Sequence, residues 1–435
     1  MSEMGEIYVL DQDLDLTYVI DSYKSLIWSS RYVELGDCEL YLPASPELLS
    51  TLSIGHYLIR LNDDMVCRIK KIELETDAEN GDYLIVTGKD TKDLCDQRII
   101  WDTMTCDGNL ETFIRSIVTS TMITPSDTAR TMEKSDGTAL VTLGTAAGFT
   151  EVVTEQVTYK GVGEKIRDYC TQMGWGYKMV LDGTALSFVL YKGTDRSASV
   201  VFSDEYENLD TTTYVEDDTD LANVALVGGE GEGSERTRST SGYAEGVDRY
   251  EIFVDAKDVT QTVSWKELST LYPPTSSGGY GSITQESGKY VYKMSQLDVP
   301  VVDDAQLAEL QTAYPSGTEV TVGGVDYYRI PNITVAELPE QTPTDTDNCI
   351  LRPILYDMYL LNRGYEKLAE HGEKITFSGT IEPAVTFLYK EDYFLGDIVT
   401  VQNSYGIEVA VRIVEVIEVD DEKGYSVQPK FQRVT

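Results

Sequence analysis

The stretch Gly396–Glu418, GDIVTVQNSYGIEVAVRIVEVIE, decides how the rest of the chain is read. Apolar residues alternate, break at Asn403-Ser404-Tyr405-Gly406, and alternate again, the pattern of a β-hairpin with one buried face. A second stretch of the same build, GHYLIRLNDDMVCRIKKIE, begins at Gly55 near the other end of the chain. The two align. Each follows a strand and a Pro-Ala pair, Pro43-Ala44 and Pro383-Ala384. Asn62 and Asn403 stand seven residues after Gly55 and Gly396. Arg68-Ile69 answers Arg412-Ile413, and Gly81 and Tyr83 answer Gly424 and Tyr425. Gly, Asn and Pro also recur in turns by chance. A duplicated β unit gives all the matches one cause.

Duplication has a consequence for assembly. Three chains, each with two similar β-barrels, would present six similar units around an axis. A threefold object could then dock on a sixfold one, because interfaces follow the symmetry of the repeated surface.

The 435 residues allow about two to four domains, each with its own core. The 29 Tyr favour β-structure and interfaces over long helices. With 74 acidic against 35 basic residues, the formal charge is −39. Such a surface repels phosphate and anionic lipid, so neither specific nucleic-acid binding nor membrane association is expected. Solubility or adaptation to salt would explain the charge, as would a passage through which DNA slides without sticking. Cys38, Cys67, Cys95, Cys106, Cys170 and Cys349 show no metal spacing and are expected to be buried free thiols of a protein made in a reducing cytoplasm. The opening MSEMGEIYVLD has no basic or apolar leader character, and no apolar run reaches the ~18 residues of a membrane span.

Residues 1–105 read as short strands and are assigned to a first β-barrel domain, with YKSLIWSSRY either a strand or an irregular turn. Residues 106–199 read as a small α+β domain. It has helices over 109–122 and 161–174, Gly174 as C-cap, and a hairpin around Asp182-Gly183. Residues 200–257 and 349–435 are assigned to a second β-barrel, with the longest helix at 353–372. GGEGEGSERTRSTSG (228–242) is a flexible loop by composition. Residues 258–348, rich in Tyr, Pro and Gly, form an inserted subdomain with a helix at DDAQLAELQTAY. The fold class is therefore mainly β with α+β: two similar β-barrel domains, a small α+β domain and an insertion.

No catalytic signature is assigned. His56 falls in an expected strand and His371 ends an expected helix, where its charge suits the dipole; neither is near a Ser or Cys motif. The Gly-rich run at 228–233 lacks the Gly-Lys-Ser/Thr of a phosphate loop. DQDLDL (11–16) lacks the Gly and terminal Glu of a calcium loop. No catalytic residue, cofactor or metal is expected.

The terminal segments carry a family likeness. IYVLDQDLDLTYVIDSYKSLIWSSRYVELGDCELYLP resembles the N-terminal signature of the tail-hub proteins of long-tailed bacteriophages. FSGTIEPAVTFLYKEDYFLGDIVTVQNSYGI followed by RIVEVIE is similar to the C-terminal one, and VGGEGEGSERTRSTSG with GVDRYEIFVDA to a segment between them. The resemblance implies a structural virion protein at the tail tip or baseplate, made in the bacterial host cytoplasm. It would be a homotrimer adapting the sixfold tail tube or distal tail protein to a threefold tip. Its other partners would be a spike, fibre or tape-measure protein, and its acidic channel would let DNA and tape measure exit. Asp21, Trp28, Arg31, Tyr32, Glu34 and Gly36 match the first signature, and Lys390, Asp392, Tyr393, Gly396 and Asp397 the second, as structural or interface residues. Arg31 and Glu34 could pair within the barrel or across subunits, and Trp28 and Tyr32 serve as core or as interface. The other reading is a tail-associated enzyme degrading cell walls, or a carbohydrate-binding β protein, with sugar stacked on the Tyr-rich insertion.

Overall fold

The computed structural model describes residues 5–77, 81–203, 206, 208, 211–277, 279–301, 304–322, 325–372, 374–380, 387–402, 405–406 and 408–434. Pro383, Ala384 and Asn403, three of the residues matched between the repeats, lie outside them.

A mostly β architecture is built around one large sheet that joins the two ends of the chain. Its strands are β1 (Ile7–Leu10), β2 (Leu16–Ile20), β3 (Ser25–Arg31), β4 (Asp37–Pro43), β5 (Tyr57–Arg60), β6 (Cys67–Asp77) and β7 (Gly81–Asp90) from the first half. The second half supplies β8 (Val201–Ser203), β9 (Thr211–Asp217), β10 (Lys374–Thr380), β11 (Ile398–Gln402), β12 (Glu408–Asp421) and β13 (Gly424–Arg433). YKSLIWSSRY thus contains a strand, β3, which takes its buried face from Leu26, Trp28 and Ser30.

The two halves repeat one strand order. The first runs β1-β5-β6-β7-β4-β3, the second β8-β11-β12-β13-β10-β9. Details repeat as well. Gly55 N–H donates to the Ile69 carbonyl (3.0 Å) and Ile69 N–H to that of His56 (2.8 Å). Gly396 N–H donates to the Ile413 carbonyl (2.8 Å) and Ile413 N–H to that of Asp397 (2.9 Å). A bulge follows at once in each, between Ile69 and Lys71 and between Ile413 and Glu415. Gly81 and Gly424 begin β7 and β13 opposite Asp77 and Asp421. Tyr83 and Tyr425 are not equivalent, however. Tyr83 stands opposite Glu75, one register step farther from the turn than Tyr425, which stands opposite Asp420. β1 also departs from its counterpart β8, for it joins its neighbour antiparallel where β8 joins parallel. Among the described residues the ladder is a path rather than a closed ring.

Four of the six cysteines are buried thiols, but Cys38 and Cys67 form a disulfide, which corrects the expectation for that pair. Their strands β4 and β6 flank β7. Gly88 of β7 stands where a Cβ would meet the Cys67 Sγ at 2.6 Å, so only glycine leaves room for the bridge.

The α+β region holds α1 (Leu110–Val118), ended by a π-turn, and α2 (Val162–Met173), closed by Gly174 in the left-handed conformation. The hairpin at Asp182-Gly183 forms as read. A third helix, α3 (Pro353–Glu370), packs in one core with the strands Val224–Gly228 and Glu251–Asp255 and with the six-stranded sheet of the insertion. Packing therefore groups residues 224–256 and 349–360 with the insertion, and the core of the second half is drawn from Val200, Phe202 and residues 387–431. Nor is 228–242 wholly loop: Arg238–Ser241 pairs with Val224–Gly228. The bare backbones of Gly228 and Gly229 admit Arg236 and Tyr356, whose side chains come within 2.7 and 2.3 Å of a Cβ built there.

A buried ionic network ties α2 to α3. Lys165 meets Glu366 at 2.5 Å, and Arg363 meets Glu155 and Asp258 at 3.0 Å each. Asp168, Glu366 and Glu370 offer carboxylate oxygens within 4.8 Å of one another. The ammonium groups of Lys165 and Lys367 lie 3.8 and 3.6 Å from Asp168 and supply countercharge. Burial, then Glu366, raises the Asp168 pKa to about 7. An unfolded Asp titrates near ~4, so the folded chain holds a proton that the unfolded chain releases between about pH 4 and that value. The stability this group contributes is full below ~pH 4 and lost as pH rises through its folded pKa. Urea midpoints at pH 5.5 and 8 are expected to differ more for the native chain than for Asp168→Asn; equal differences would refute the assignment.

Candidate functional site

The two halves meet where β3 pairs antiparallel with β12, Arg31 opposite Glu415 through Leu26 opposite Asp420. Most of the signature residues gather around this junction. Arg31 ends the ladder: Nε donates to Glu415 (2.7 Å) and Nη1 to Asp37 (2.6 Å) and the Leu35 carbonyl (2.5 Å). Burial opposes its charge, but Asp37 and Glu415 outweigh that and hold its pKa above the ordinary value. Arg31 thus pairs within the chain and with partners other than Glu34. Glu34 gives its carbonyl to the Lys92 ammonium (2.6 Å), which also donates to the Arg31 carbonyl (2.7 Å). Lys92 is buried, and desolvation lowers its pKa. The run RYVELG therefore wraps a lysine. Gly36 makes the wrap possible, since a Cβ there would stand 2.6 Å from the Ser29 carbonyl.

A second ionic group crosses between the halves. Arg60 and Asp63 come from the first half, Lys390 and Glu418 from the second. Arg60 binds Asp63 and, at 2.5 Å, Glu418. Lys390 bridges Asp63 (2.8 Å) and Glu418 (3.1 Å), and the Tyr425 hydroxyl donates to Glu418 (2.8 Å). Burial alone would raise the Asp63 pKa; Arg60 and Lys390 hold it below the usual carboxylate range. The Arg60 guanidinium also lies 4.9 Å from the ring centre of Trp28, which is fully buried. A cleft of about 1000 Å³ opens beside this group, lined by Lys178, Lys192, Arg196 and Asp397 among others.

Tyr32 anchors the junction from below. It is buried, and its hydroxyl donates to the Gly174 (3.1 Å) and Tyr191 (3.4 Å) carbonyls. Its ring fills the space over Gly396. Gly55 and Gly396 share a left-handed backbone, φ 90° and 94°. Asp397 accepts from Thr194 N–H (2.7 Å), Arg196 (2.7 Å) and Phe394 N–H (3.0 Å). Tyr393 is core, edge-on to Phe202. Asp392 caps Leu388 N–H at the surface, while Asn62 takes φ 61° in the exposed turn after β5. Asp21 lies exposed between β2 and β3, and Asn403 lies outside the described residues. Arg60, Asp63, Lys92, Glu415 and Glu418 were missed by sequence reading. Among so many charges only their nearness to the signature segments could have marked them.

What this arrangement does is mechanical: a ladder of backbone hydrogen bonds and two ionic clusters fix one repeat to the other. No curated protein matches the chain. Among solved structures it is similar to a tail protein from Neisseria meningitidis MC58 (9% identity, 99% of this chain and 97% of that one, TM-score 0.49). It is also similar to the 43 kDa tail protein of prophage MuSo2 from Shewanella oneidensis (10%, 99% and 98%, 0.48) and to the prophage tail protein gp18 from Listeria monocytogenes EGD-e (12%, 98% and 94%, 0.44). The family described as Siphovirus ReqiPepy6 Gp37-like protein matches residues 6–431, and the chain belongs to this family of bacteriophage tail proteins.

Proposed function

We infer that the chain is a structural, non-enzymatic tail hub of a phage or phage-tail-like particle. Three copies join the sixfold tail tube or distal tail protein to a threefold tip. The observation that carries this reading is the internal repeat. Two half-sheets share strand order, bulge position and glycine turns, and they are fixed to each other by β3 and β12. Three such chains offer six like surfaces to the tube and three to the tip. The formal charge of −39 fits a lumen that lets DNA and the tape-measure protein pass without adhering. A spike, fibre or tape-measure protein would be the partner below.

Imaging of intact particles tests the reading. The expected result is three copies at the tube end with their six repeats in quasi-equivalent positions and an acidic inner wall. Six copies, or a location away from the tube axis, would refute the adaptor role. A net positive lumen would refute the electrostatic part alone.

A further inference from the structure

The internal junction has a counterpart pair of strand edges along which no strand pairs among the described residues. β9, the counterpart of β3, pairs with β10 along one edge, and no strand among the described residues lies along the other. In β6 the segment Lys71–Thr76 pairs with β7 on one side. On its other side β5 reaches only Cys67 and Arg68, and no strand among the described residues continues the coverage. That segment is the counterpart of Glu415–Asp420 in β12, the stretch that β3 occupies. The chain thus uses this contact once internally and presents both of its elements a second time, one in each half of the sheet. Two exposed strand edges are normally covered, charged or paired.

We propose that β9 of one copy pairs antiparallel with β6 of a second copy, in the register of the internal junction. The register transfers through the repeat. Trp28 stands opposite Cys38 and Cys38 opposite Gly88, while Tyr214 stands opposite Phe377 and Phe377 opposite Phe431. Gly88 and Phe431 face Ile69 and Ile413, the residues just before the two bulges. Tyr214 is therefore the counterpart of Trp28, and Leu74 that of Glu418. Carried over, Asp217 faces Lys71, Val215 faces Glu73, and Tyr214 faces Leu74. The ends complement each other. Arg31 faces Glu415 inside the chain, and between copies the signs are exchanged, with the acid on β9 and the cation on β6. Val215 and Leu74 are 43% and 48% exposed in the single chain, apolar surface this contact would cover. The contact is head-to-tail, so it builds a ring where its rotation closes and an open filament where it does not. Closure at three copies rests on the hub reading above; the strand pairing itself does not.

Directly opposed strand residues have Cβ atoms about 4.5–5.5 Å apart, near enough for a disulfide after slight adjustment. The test oxidises full-length Val215→Cys/Glu73→Cys chains, both purified and within assembled tails, and counts covalently linked chains on a denaturing gel. The expected product in tails is a three-chain species. The control Val215→Cys/Leu74→Cys, one residue out of register and on the opposite face, should link at least tenfold less. In parallel, Lys71→Glu should reduce assembly, and Lys71→Glu with Asp217→Lys should restore it. Threefold tails with no linking would overturn the pairing and leave the hub reading intact. Efficient linking into chains of other lengths would uphold the pairing and overturn the trimer. Linked dimers alone, or equal linking of the control, would overturn the register.

Discussion

Arg60→Met is expected to destabilise the protein by about 3–5 kcal/mol, the scale of removing one partner from a buried ionic group. Asp63 and Glu418 each keep a side chain only 4% exposed, and after the substitution Lys390 would be the one cation left to the cluster. Methionine refills most of the volume and still touches Trp28, so the loss would be electrostatic rather than a cavity effect. Urea unfolding followed by tryptophan fluorescence gives the number. Adding Glu418→Gln should recover part of the loss. It removes the stranded charge, keeps an acceptor for the Tyr425 hydroxyl, and leaves Lys390 with Asp63. A loss below about 1 kcal/mol would mean that the cluster is hydrated and that the β3–β12 ladder alone holds the halves.

The same cluster shows where sequence reading stops. Hairpin periodicity and the spacing of Gly55 and Gly396 were legible because strands and turns leave local marks. α2 was legible to its last residue because Gly174 must take φ 63°. The crossing of β3 to β12 leaves no such mark. Hairpin register is written in a turn, but Arg31 and Glu415 are 384 residues apart and joined by no turn. Lys92 was hidden because burial of a lysine depends on the carbonyls that converge on it, here from Arg31 and Glu34. The strands within 224–256 pair with one another yet share a core with the insertion: β composition shows that a segment is a strand, not which core it enters.

Gly396→Ala is expected to cost more than about 3 kcal/mol, and the repeat supplies its own control. At φ 94° any Cβ adds roughly 1–2 kcal/mol of backbone strain. Here the added atom would also stand 2.4 Å from Cε2 of Tyr32. Tyr32 cannot swing away, for its hydroxyl is bonded to the Gly174 and Tyr191 carbonyls and its ring packs edge-on to Tyr191 at 5.2 Å. Nor can the backbone retreat freely, because the Gly396 carbonyl lies 1.9 Å from where a Cβ on Gly193 would be. Gly55→Ala meets the same backbone demand at φ 90°, but its nearest neighbour is the end of the Gln12 side chain at 3.1 Å, which can move. That variant should lose only the strain, about 1–2 kcal/mol. The difference between two chemically identical substitutions at equivalent turns then isolates the packing of Tyr32 under the second repeat. Equal losses would show that Tyr32 yields without cost and that the glycine at 396 answers to the turn alone.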